Sequence, residues 1–172
     1  MQMLARLERW SERLLEVVVM SLTGGLAVVV LLAVIFRKTG YSLVWYDEVA
    51  EIMLAWLTYY GAALAALKRS HIGFPGLVES LPVRWRIIAL FAAELSVIGF
   101  FVLLAWVGWK VLLVLDGVYL ISLPDVPVQL TQSVIPVGAA LFIIAQLLSF
   151  PRMLKEALTG KHHEISPELT DL

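Results

Sequence analysis

Four stretches of the chain are too long and too free of charge to belong to a domain folded in water. Val17 to Phe36 is twenty residues without a charged side chain, bounded by Glu16 and Arg37. Ile52 to Leu67 is sixteen more, and the helical pattern extends back through Val49. Ile87 to Trp109 is interrupted only by Glu94, with apolar residues continuing past Lys110 to Leu115. Val126 to Phe150 has no charge, although Pro127 and Pro136 fall within it. A helix needs about 20 mostly apolar residues to cross a hydrocarbon core about 30 Å thick. We therefore read four spans, at about 15–36, 49–67, 87–113 and 129–150, and expect an all-α membrane protein with four transmembrane helices. The third span, about 40 Å long at 1.5 Å per residue, must tilt or project beyond the bilayer. Pro136 should kink the fourth.

Composition agrees with this reading and removes several function classes. Apolar residues make up 60% and charged residues 16% of the 172, against roughly 45–50% and about 25% in soluble domains. A mean hydropathy of +0.88 points the same way. A net charge of −1 leaves no basic excess for holding nucleic acid. With no cysteine in the chain, disulfides, thiolate metal sites, iron–sulfur clusters and cysteine nucleophiles are all excluded.

Basic residues set the expected orientation. Arg6, Arg9 and Arg13 precede span one, Lys68, Arg69, Arg84 and Arg86 flank the second loop, and Arg152, Lys155 and Lys161 follow span four. On the opposite side stand Arg37, Lys38 and Lys110, so ten against three places both termini in the cytoplasm. The run is too long for a cleaved signal peptide, and Arg37-Lys38-Thr39-Gly40 is no small-residue cleavage site. Met3, Leu7, Trp10 and Leu14 recur at helical spacing among Arg and Glu, which suits a short interfacial helix feeding into span one. Residues 1–160 are expected to form a single membrane domain, and the polar residues 161–172 a flexible cytoplasmic tail.

Residues capable of catalysis are scarce where chemistry would need them. His71, His162 and His163 all lie outside the spans, so bis-histidine haem ligation between helices is excluded. No zinc-protease helix, phosphate loop or dinucleotide fingerprint is present. We expect no enzyme, no metal and no cofactor in this chain. Glu94 lies about two turns into span three. It is either a buried hydrogen-bond partner for a neighbouring helix or, if the chain were an autonomous oligomeric ion or proton carrier, its relay group. Glu16, three residues after Arg13, reads as half of a simple ion pair. Asp47, Glu48 and Glu51 open span two, where acids offset the positive end of a helix and can cap its free N–H groups; a docking surface for another protein is the competing reading. Gly61 and Ala65, one turn apart, suit close helix packing.

The order of features from Arg37 to Pro82 resembles the small membrane subunit, of DctQ type, of tripartite ATP-independent periplasmic (TRAP) transporters. The resemblance rests on Arg37, Trp45, Asp47-Glu48, Trp56, Gly61-Ala62, Arg69-x-His71-Ile72 and Leu81-Pro82. One departure is Pro75, where members of the family often carry an Asp four residues after the His. The resemblance implies a non-catalytic scaffold subunit in a bacterial inner membrane. Its implied partners are a large multi-span subunit holding the sodium and solute sites, a periplasmic binding protein that captures a carboxylate-type solute, and the lipid bilayer. On that basis Trp56, Gly61 and Ala65 are expected to pack on the large subunit. Arg37, Trp45, Asp47 and Glu48 are expected to shape the outer interface, and Arg69 and His71 to anchor the inner loop.

Overall fold

The computed structural model describes residues 2–41, 43–68 and 82–159, without the side chains of 2–8, 152, 155–157 and 159. Among the described residues five helices appear: α1 (Gln2–Lys38), α2 (Tyr46–Lys68), α3 (Val83–Val114), α4 (Val128–Gln132) and α5 (Val134–Thr159). Among the described residues four segments are long and apolar enough to cross a membrane, namely Arg9–Lys38, Tyr46–Lys68, Val83–Val114 and Val128–Pro151. Each includes one of the four expected spans and extends beyond it, by eight residues in the first and by two to five in the others. At 32 residues, α3 is about 48 Å long and exceeds the hydrocarbon thickness by more than expected.

Two expectations about helix continuity are refined. The amphipathic stretch around Trp10 is not a separate short helix: it and span one form the unbroken 37-residue α1. No glycine or proline occurs between Gln2 and Thr23 to interrupt the ladder. Pro136, in turn, acts one turn ahead of itself. It has no N–H to offer the Gln132 carbonyl, and its ring crowds that group. The helix divides at Ser133, so that α4 and α5 together make the fourth span. Pro136 then lies in the first turn of α5, where its missing donor is harmless.

The ends are set by local chemistry. At the end of α1, Gly40 takes a left-handed backbone (φ 85°). Gly40 N–H donates to the Arg37 carbonyl at 3.4 Å and Tyr41 N–H to that of Phe36 at 3.1 Å. This is the Schellman arrangement that satisfies the last carbonyls of a helix. Arg37 and Lys38 in the last turn face the negative end of the helix dipole. Beyond α3, Gly117 (φ 77°) turns the chain into a hairpin-like excursion. Val128 N–H donates to Val118 at 2.9 Å and Leu120 N–H to Val126 at 3.0 Å, with a tight turn at Leu123-Pro124-Asp125-Val126.

The long helices stand in an open row, α1–α2–α5–α3. Extensive packing joins α1 to α2, α2 to α5 and α5 to α3, while α1 touches α5 only slightly. Small residues make the contacts: among the described residues five of the nine buried apolar ones are alanines, Ala63 and Ala139 being fully buried. Lipid supplies no hydrophobic drive for bringing helices together, so close backbone approach and van der Waals packing must do it. Phe101 and Phe142 stack at 3.7 Å across α3 and α5, and Phe91 meets Phe150 edge-on at 5.6 Å. A core of Leu15, Ala63, Ala66, Leu67, Phe142 and Ala145 joins α1, α2 and α5. Large apolar side chains elsewhere point outward, including Leu95, Phe100, Leu103 and Trp106 of α3.

Candidate functional site

The expected site residues fall into three groups along α2. At its start, Asp47 and Glu48 occupy the first turn. Asp47 is exposed and Trp45 half-buried, as is Glu48. Glu48 is committed within the chain. Its carboxylate accepts the N–H groups of Ile121 (3.2 Å) and Ser122 (2.9 Å) and the Ser122 hydroxyl. It thereby holds the 115–127 excursion onto α2. The same excursion is tied at its base, where Gln129 Nε2 donates to the Leu112 carbonyl at 2.9 Å and to Asp116 at 3.3 Å. Held at both places, it presents Ile121, 93% exposed; Tyr41 and Val44 of the first loop are exposed as well. Arg37 is exposed at the end of α1. Ser122 and Ile121 were not foreseen: nothing in their residue types signals a partner 74 positions away.

Midway along α2, Trp56 faces inward. Its Nε1–H donates to the Thr131 carbonyl at 2.9 Å, at the α4–α5 break, and its ring meets Tyr60 edge-on at 6.3 Å. Gly61 and Ala65 part from it. The inward face carries Tyr59, Ala63 and Ala66 against α5. A Cβ built on Gly61 would meet no atom within 4 Å. Leu54 and Thr58, on the same face as Gly61 and Ala65, are exposed. Trp56, half-buried, is thus hydrogen-bonded within the chain, and the half-buried Gly61 and Ala65 lie on the face that carries the exposed Leu54 and Thr58. The glycines that do permit close approach are others. A Cβ on Gly138 would lie 2.7 Å from Tyr59 Cβ, and one on Gly108 would lie 2.8 Å from Ile135 and 3.1 Å from Pro136. Neither belongs to a small-residue pair at one-turn spacing, which is why sequence spacing passed over them.

At the far end of α2, Lys68 bonds Glu16 and lies 3.7 Å from Glu12. Glu16 is therefore paired across to α2, correcting the reading that gave it Arg13. The helix ends bring Lys68 to it from 52 positions away. Arg69 and His71 lie outside the described residues.

Glu94 is buried, 5% exposed, and faces α5. Gln146 Nε2 donates to both its oxygens, at 2.8 and 3.0 Å. Ser149, also buried, donates to the Gln146 carbonyl at 3.0 Å. This is the hydrogen bond between helices that was one of the two readings of Glu94. Among the described residues no group of three or more His, Asp or Glu side chains could hold a metal ion.

Residues 26–156 fit the family described as tripartite ATP-independent periplasmic transporters, DctQ component. No curated protein matches the chain.

Proposed function

The chain belongs to the DctQ component family of TRAP transporters, and on that premise we propose that it is the non-catalytic frame of a sodium-coupled importer. In this reading it sits in a bacterial inner membrane with both termini in the cytoplasm. A large membrane subunit binds sodium and a carboxylate-type solute and carries out the movement; a periplasmic binding protein delivers the solute. The observation that carries the proposal is the open row itself. Among the described residues no buried polar side-chain atom lacks a hydrogen-bond partner, and Glu94–Gln146 and Trp56–Thr131 bond within the chain, while the apolar faces of the outer helices stay uncovered. A chain so arranged offers surface and stiffness, and no path for cargo.

The Gly61–Ala65 face of α2 is the part we assign to the large subunit, because a backbone without side-chain bulk lets a partner helix approach closely. The outer end, with Arg37, Trp45, Asp47 and the excursion that Glu48 holds, is assigned to the binding protein. Arg69 and His71 are assigned to anchoring the inner loop. The test is reconstitution. Liposomes with this chain, the large subunit and the binding protein should accumulate a carboxylate solute on a sodium gradient, whereas liposomes with this chain alone should not. Accumulation by the lone chain would overturn the proposal and restore the autonomous carrier.

A further inference from the structure

The charges that bracket the second span stand too close together for the bilayer. From Glu51 to Lys68 the helix rises about 26 Å at 1.5 Å per residue, less than the roughly 30 Å of hydrocarbon it must cross. Tilting the helix shortens that reach further. At least one of the two charges is therefore drawn into the edge of the hydrocarbon. Lys68 is equipped for this: its long side chain can reach outward, and it is paired with Glu16 and Glu12. Glu51 has a short side chain and is exposed. Among the described residues no ion pair or hydrogen bond holds its carboxylate.

Glu51 also lies on the side of α2 turned away from the row. Glu51, Leu54, Thr58, Gly61 and Ala65 follow one another at spacings of three, four, three and four residues, and so form one stripe. Ala63, Ala66 and Leu67, round the helix from it, are the buried residues of α2. The Thr58 hydroxyl donates to the Leu54 carbonyl at 2.8 Å, which leaves the Glu51 carboxylate as the polar group of the stripe without a partner among the described residues. Carboxylates at membrane depth almost always face protein or water and pair with an opposite charge.

We propose that this stripe receives one helix of the large subunit and that the helix sets a lysine or arginine against Glu51. The inference rests on the assignment of this α2 face to the large subunit and adds the chemistry of the contact. A mean spacing of 3.5 residues suits a left-handed crossing at about 20°. Gly61, with open space over it, lets the two backbones close, and the ion pair fixes how far one helix slides along the other. Lipid tails would leave the carboxylate without a counter-charge. A binding protein in water cannot reach down to Gly61 and Ala65.

The test uses the complex purified through this chain with the large subunit co-expressed. Glu51→Lys should lower recovery of the large subunit at least about tenfold, because like charges opposed at an interface repel strongly. The unfolding midpoint of the isolated chain should not move. Leu54→Cys and Ala65→Cys, each carrying a photoreactive thiol reagent, should label the same helix of the large subunit at sites about eleven residues apart. A Lys→Glu or Arg→Glu change on that helix, near the site labelled from Leu54, should restore recovery with Glu51→Lys. Full recovery with Glu51→Lys where Gly61→Leu lowers it would overturn the ion pair and leave the α2 face as the contact. Full recovery with both variants would overturn the ion pair and the assignment of the face together. Labels on two different helices, or no rescue by any charge reversal on the labelled one, would overturn the proposal as well.

Discussion

A methyl group added to Gly138 would be driven to 2.7 Å from Tyr59 Cβ, an atom fixed to the α2 backbone, whereas one added to Gly61 would meet nothing within 4 Å. Gly138→Ala should therefore lower the thermal unfolding midpoint of the purified chain, since overpacking costs about 1–3 kcal/mol and the gain in helix propensity offsets only about 1 kcal/mol of it. Gly61→Ala should leave that midpoint unchanged or slightly raised. A second contrast concerns the buried pair. Gln146→Leu strands the Glu94 carboxyl without its donor, and an unsatisfied buried group costs about 1–3 kcal/mol or more. Glu94→Gln keeps an amide in reach of an amide. The first should lower the unfolding midpoint more than the second; the reverse order would mean that the carboxyl is held by something other than Gln146. Residue by residue, the sequence was informative where a side chain is costly in lipid by itself, as with Glu94. It was silent where value depends on a distant neighbour. Glu48, Glu16 and Trp56 were each noticed, but their partners Ser122, Lys68 and Thr131 lie between 52 and 75 positions away.

Among the elements, the most specific structure outside the spans is the 115–127 excursion, pinned to α2 by one carboxylate. Hydrogen bonds to an ionised acceptor are stronger than those to a neutral one. Glu48→Ala should therefore speed amide hydrogen exchange at Ile121 and Ser122 by at least about tenfold. Glu51→Ala, which alters an exposed acid one turn further on, should leave both amides unchanged. If Glu48→Ala also reduces uptake at limiting binding protein while the complex still assembles, the excursion is part of the receiving surface. The spans themselves were legible because each is bounded by charges that cannot enter hydrocarbon. Helix breaks were less so. Proline marks a disturbance, but the geometry moves it back to the carbonyl four residues earlier, at Gln132. An amphipathic pattern such as that around Trp10 does not say whether the helix that bears it continues.

For the whole molecule, lateral order is the feature that sequence could not supply. Hydropathy counts the spans, yet which helix lies beside which depends on small contacts such as Ala63, Ala66, Ala139 and Ala145, and the same residue type also stands on exposed faces, as at Ala55 and Ala89. Gly61→Leu should diminish co-purification of the large subunit while leaving the unfolding midpoint of the isolated chain intact; retention of an undiminished large subunit would remove the α2 face from the interface. Because the chain has no cysteine of its own, single cysteines placed at Tyr41 and at Ser11 can be labelled from either side of the membrane. Labelling of the first from the periplasm and of the second from the cytoplasm is the expected result. The row has a further mechanical consequence. The central pair, α2 and α5, is braced from two directions, whereas α1 and α3 are each secured chiefly by one neighbour. Under tension or mild denaturation the flanks should peel away first and leave the middle pair standing, like the outer staves of a fence around a well-set post.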